Sequence, residues 1–184
     1  RKRARPKVLL ATCYDEAIET YRRYETNIIG VISDIGFVLH KGDPSSTEKL
    51  DAGIDLCRLI RKENPTMPFL MQSSQEAMSS IAKQLKVGFV VKTSKTLTQE
   101  LSAYIEREFG FGDFVAIDPR SGKEIARASD LEAFERVIST ISSAAFRRLS
   151  DNSYLSKWLF ARGLFAIGRH VQQLQIQDDT DIEN

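Results

Sequence analysis

Ile28-Ile-Gly-Val-Ile-Ser33-Asp34 and Gly88-Phe-Val-Val91-Lys92 decide the fold of this chain. Each is a short apolar run closed by a charged residue. Pro68-Phe-Leu-Met-Gln72, closed by Ser73-Ser74, lies between them and has the same form. Such runs are too short for helices and too apolar for loops, so they read as strands covered on both faces. The stretches that separate them have helical periodicity. Leu50 to Glu63 places Ile54, Leu56, Cys57, Leu59 and Ile60 among polar residues, and Gln75 to Lys86 follows Ser74. Strands alternating with helices of that length predict a parallel sheet with helices on both faces.

Working outward, Lys7-Val-Leu-Leu-Ala-Thr12 reads as a further buried strand and Tyr14 to Glu25 as a helix with Asp15 and Glu16 in its first turn. His40 to Lys49, with Gly42, Pro44 and Ser45-Ser46, reads as a surface loop. Thr96 to Phe109 reads as an amphipathic helix with Leu97, Leu101, Tyr104 and Ile105 on one face. Residues 1–108 are therefore expected to form one α/β domain. After Phe109 the pattern changes. Phe114-Val-Ala-Ile-Asp118 and Lys123-Glu-Ile-Ala-Arg127 flank Pro119-Arg-Ser-Gly122 and predict a β-hairpin. Ser129 or Asp130 would cap a helix running to Ile141, and a last helix would run from Asp151 to Leu174. Residues 109–174 are thus expected to form a hairpin plus two-helix extension, and the acidic tail 175–184 to be disordered.

The composition narrows the function classes. The net charge of +1 gives no field favouring nucleic acid or an anionic membrane, and no apolar run approaches the roughly 20 residues of a membrane span. Cys13 and Cys57, the two cysteines, match no metal-ligand spacing and read as reduced thiols of a cytoplasmic protein. His40 and His170 have no metal-type partner in the sequence. Gly110-Phe-Gly lacks the spacing of a phosphate-cradling loop and reads as a hinge. Arg147-Arg148, Lys157, Arg162 and Arg169 are balanced by acidic neighbours, so nucleic-acid binding is not expected. Arg1 opens the chain where a methionine would start a whole protein, which reads as a piece of a longer one.

Ligands of an open parallel sheet bind beyond the carboxyl ends of its strands. Asp34, Ser73 and Lys92 follow three such ends. A carboxylate, a hydroxyl and an ammonium there make a phosphoryl site: the carboxylate as nucleophile forming an acyl phosphate, the lysine as point charge on phosphoryl oxygens, the hydroxyl as hydrogen-bond donor. An enzyme acting on a phosphorylated metabolite would need a base near Asp34, and neither histidine is placed to serve, so no enzymatic activity is expected.

Ile32-Ser-Asp-Ile35, Leu70-Met-Gln-Ser-Ser74 and Gly88-Phe-Val-Val-Lys92-Thr-Ser94 resemble the phosphoacceptor, switch-hydroxyl and lysine motifs of CheY-like response-regulator receiver domains. The resemblance implies a flavodoxin-like fold and a role in phosphorelay signal transduction. Asp34 would be phosphorylated by a histidine kinase or a small phosphodonor, with Phe89 as the switch aromatic. Thr93 stands where the family usually has proline. The family holds Mg²⁺ with an acidic pair at the end of its first strand. Lys7–Thr12 resembles the second strand, so the first strand, its helix and the acidic pair are expected upstream of Arg1. Mg²⁺ binding is implied only with that pair. Asp34 itself and Asp15 are the weak metal candidates within the chain, and Asp43 is the other carboxylate considered as a substitute.

Phe109-Gly-Phe-Gly-Asp-Phe114, Asp118-Pro-Arg-Ser-Gly122, Glu124-Ile-Ala-Arg-Ala128 and Trp158-Leu-Phe-Ala-Arg162 resemble segments that follow a receiver in bacterial proteins ending in a phosphoenolpyruvate-synthase-like PEP/pyruvate-binding region. That implies an attached output region or, through the aromatic C-terminal helices, a homodimer partner. The alternative is a pseudo-receiver, a scaffold for protein interaction or dimerisation that works without phosphorylation.

Overall fold

The computed structural model describes residues 6–151 and 153–173. The tail expected at 175–184 lies outside the described residues. The protein is α/β, with eight α-helices among those residues. It divides into two compact units, one up to Tyr104 and one from Ile105.

The first unit contains α1 (Tyr14–Tyr24), β1 (Val31–Asp34), α2 (Ala52–Glu63), β2 (Phe69–Ser73), α3 (Ser79–Gln84), β3 (Gly88–Val91) and most of α4 (Leu97–Glu108). The strands form a parallel sheet of order β1-β2-β3. The register sets Asp34 opposite Gln72 and Ser73 opposite Val91. β2 is central, and its Phe69, Leu70 and Met71 are all buried, as its unbroken apolar sequence requires. Alternation sends Phe69 and Met71 to one face, where they join Tyr21 of α1, Ile54, Cys57 and Ile60 of α2, and Ala82 of α3. Leu70 points the other way. There Tyr104 of α4 lies against Gly88 and donates its hydroxyl hydrogen to the Phe69 carbonyl at 2.9 Å.

Lys7–Thr12 is not a strand. Val8 is 92% and Leu10 79% exposed. A strand exists only by pairing, and among the described residues none stands beyond β1 to receive this run. Its end is tied to α1 instead: the backbone N–H and the hydroxyl of Thr12 both donate to the Glu16 carboxylate, at 2.8 and 2.9 Å. Those two bonds hold the Glu16 carboxyl below the ordinary range.

In the second unit β4 (Phe114–Ile117) and β5 (Glu124–Ala128) form the expected antiparallel hairpin, with Phe114 opposite Ala128. Asp118 accepts the backbone N–H groups of Arg120 and Ser121, both at 2.7 Å, and so closes the turn. The helical part is more broken than the sequence suggests: α5 (Leu131–Thr140), α6 (Ser143–Asp151), α7 (Tyr154–Phe160) and α8 (Phe165–Gln173) replace two helices. Asp130 caps α5, its side chain accepting the Ala133 N–H at 2.9 Å. Ser153 in the left-handed region separates α6 from α7. Gly163, at φ 78°, ends α7, and Leu164 N–H closes back on the Leu159 carbonyl at 3.0 Å. Trp158 is the centre of this core. Phe134 stacks on one face of its ring with centroids 4.6 Å apart, and the Arg162 guanidinium lies 3.4 Å from the centroid.

Candidate functional site

β1 and β3 flank β2, so the residues that leave their carboxyl ends can meet across the end of β2. Asp34 is the last residue of β1, and Ile35 N–H continues the ladder to the Gln72 carbonyl at 3.2 Å. Lys92 follows β3, its N–H bonded to the Ser73 carbonyl at 2.9 Å. The backbone thus brings the two side chains together: Lys92 Nζ donates to Asp34 Oδ2 at 2.6 Å. Both side chains are part-exposed, 40% for Lys92 and 38% for Asp34, so a solute can approach them. Asp34 Oδ1 differs from its twin. It is buried and has no hydrogen-bond partner among the described residues.

The backbone of Asp34 is held from two sides. Ser33, buried in the strand, donates its hydroxyl to the Asp34 carbonyl at 2.8 Å. The first turn of α2 comes down on the peptide that follows: Gly53 N–H donates to the Ile35 carbonyl at 2.8 Å. A Cβ on Gly53 would overlap the Asp34 carbonyl oxygen and lie 3.0 Å from the Asp34 carbonyl carbon. Nothing in the sequence pattern marks Gly53, which merely looks like a weak helix former near a helix start.

Ser73 ends β2. Its hydroxyl oxygen accepts the Gln75 N–H at 3.1 Å, starting the turn into a short 3₁₀ segment and α3. That bond uses a lone pair and leaves the hydroxyl proton for another acceptor. Phe89 is partly buried and packs against the core of the first unit.

Asp15 and Asp43 do not join Asp34 in a metal cluster. Asp15 Oδ2 lies 2.7 Å from Nδ1 of His40, and Asp43 Oδ2 accepts the His40 backbone N–H at 3.1 Å. His40 is exposed, yet its ring and its backbone N–H are both bonded. The bond to Asp15 raises its pKa above the ordinary histidine value, helped by the charges of Asp15 and Asp43. Tyr14 and Asp15 N–H also donate to the Val38 and Leu39 carbonyls, both at 3.1 Å. The loop after Asp34 is therefore latched to the first turn of α1. It is closed at its far end by the Phe37–Lys49 bridge and by ion pairs from Lys49 to Asp51 and Asp55.

No group of three or more His, Cys, Asp or Glu among the described residues could hold a metal ion. Mg²⁺ requires an octahedral oxygen shell anchored by carboxylates, and Asp34 alone does not supply it. The residues present do not fit that ion. Gly110-Phe-Gly lies inside the second unit, where the Arg162 guanidinium donates to the Gly110 carbonyl at 2.9 Å and the Gly112 carbonyl at 3.1 Å. No helix among the described residues is long and apolar enough to cross a membrane. Comparison with protein-family models, with curated proteins and with solved structures finds no match for this chain.

Proposed function

We propose that this chain is the receiver-type module of a cytoplasmic phosphorelay, with a flavodoxin-like first unit and Asp34 as its phosphoacceptor. The observation that carries the reading is the 2.6 Å contact between Lys92 Nζ and Asp34 Oδ2 at the carboxyl end of a parallel sheet. An Asp34 carboxylate oxygen attacks the phosphorus of a phosphohistidine or a small phosphodonor. The P–N or P–O bond of the donor breaks, and the imidazole or carboxylate leaves with its electron pair. The aspartyl charge is consumed in the new bond, and Lys92 then follows the charge onto a phosphoryl oxygen. The free proton of Ser73 is the hydrogen-bond donor for that group, and Phe89 is the aromatic that would respond to it.

Two further observations agree with that fold. Ile32, on the Leu70 face of the sheet, is 41% exposed, and the outer edge of β1 carries no strand among the described residues. Both suit a receiver whose first strand and helix are not among those residues.

A second reading is favoured by the lack, among the described residues, of further oxygen ligands for Mg²⁺ beside Asp34. In it the same unit is a pseudo-receiver, an interaction or dimerisation scaffold for a PEP-synthase-like protein, and Asp34 is never phosphorylated. Incubation of the full-length protein with acetyl phosphate in Mg²⁺ buffer, followed by intact mass spectrometry, separates the two. The receiver reading expects one added phosphoryl group that is absent from Asp34→Asn. An unmodified full-length protein sinks it and leaves the scaffold.

A further inference from the structure

We infer that Ser33 and Gly53 are positioning residues that aim Asp34 at Lys92, and that the first turn of α2 is thereby coupled to the site. The inference deepens the reading of Asp34 and Lys92 as the phosphoryl site and rests on it. The direction of a side chain at a strand end depends on how firmly the peptides on both sides of its α-carbon are held, because together they fix φ and ψ. At Asp34 the ladder bond from Ile35 N–H to the Gln72 carbonyl holds one side of the following peptide, and two further contacts restrain its carbonyl. The Ser33 hydroxyl reaches its carbonyl at 2.8 Å. The α-carbon of Gly53 packs on the same carbonyl so closely that any Cβ would overlap it. The Gly53 N–H bond to the Ile35 carbonyl, at 2.8 Å, fixes the next peptide as well. None of these contacts involves the carboxylate, so their effect on it is one of aim. A glycine inside a helix carries a cost, and the close approach to the Asp34 carbonyl accounts for it.

The test reads the Lys92 ammonium, which a bonded carboxylate protects from exchange, in ¹⁵N-edited NMR spectra of the full chain at low temperature. Wild type is expected to show its correlation and Asp34→Asn to lose it. Ser33→Ala is expected to shift or lose it, Ser33→Thr to keep it by restoring the hydroxyl, and Gly53→Ala, wherever its amide spectrum shows a folded protein, to lose it. A merely structural role for either residue would lower stability and leave that signal in place. Ser33→Ala with the Lys92 correlation at its wild-type position overturns the inference, as does a folded Gly53→Ala that retains it or a wild type that lacks it. Acetyl phosphate uptake, measured separately on the full-length protein, judges the receiver reading: a Lys92 signal without that uptake refutes phosphorylation and leaves the positioning intact.

Discussion

Replacing Gly88 by alanine should loosen α4 from the sheet. The new methyl would overlap the edge of the Tyr104 ring, sitting 2.6 Å from Cζ and 2.7 Å from Leu70 Cδ1. Leu70 is fully buried and has nowhere to go, so the Tyr104 ring must swing out. Its 2.9 Å hydrogen bond to the Phe69 carbonyl then breaks. Overpacking costs about 1–3 kcal/mol and a lost hydrogen bond about 0.5–1.5 kcal/mol. Alanine restricts the unfolded chain more than glycine and returns about 0.4–1 kcal/mol. The net expectation is a loss of about 2 kcal/mol. Urea denaturation followed by circular dichroism would show it as a lower midpoint at unchanged slope. Tyr104→Leu opens the space that the methyl needs, so the double variant should lose clearly less than the sum of the singles. A Gly88→Ala protein within about 0.5 kcal/mol of wild type would refute this account of how α4 is seated.

Other expectations concern single groups. His40 gains its partner in the folded state and its pKa is raised, so the latch on α1 is fully formed below the unfolded histidine value and weakens as pH rises through the higher folded value. NMR titration should place the His40 midpoint above that of a free histidine, with the Asp15 and Asp43 amides following it; His40→Gln should abolish the amide response. Burial pushes the Cys57 thiol up to about 11, and Cys13 is buried too, so neither should react with Ellman's reagent at pH 8 before the chain unfolds. Asp130→Ala removes the cap of α5 and should cost the second unit about 1 kcal/mol in a thermal or urea melt.

Local chemistry made part of this structure legible. β3 falls at Gly88–Val91 as its apolar run indicates, and the meeting of Asp34 with Lys92 follows from strand ends that share one edge of a parallel sheet. Lys7–Thr12 was misleading because an apolar run states a preference, whereas a strand requires a neighbour. The helix expected from Asp151 to Leu174 was broken at Gly163, a signal outweighed in sequence by the density of aromatic and aliphatic residues around it. α6 is short and holds only two large apolar residues, Phe146 and Leu149, so its one-sided face, with Ala145 and Leu149 buried, is a weak signal along the chain. Gly53 and Ser33 are closest to the site and least legible. Gly53 matters through a helix backbone approaching a strand across the fold, which no spacing along the chain encodes, and the Ser33 bond to its neighbour's carbonyl leaves no pattern in sequence.

Trp158 is the only tryptophan of the chain, and it lies wholly within the second unit. Its ring is sandwiched by Phe134 and Arg162 and its indole nitrogen is buried. Tryptophan emission is consequently a private reporter of that unit, blind to melting of the sheet that holds Asp34. Far-ultraviolet circular dichroism sums over both. Whether the two signals fall together or apart during denaturation therefore measures how strongly the units share one folding transition.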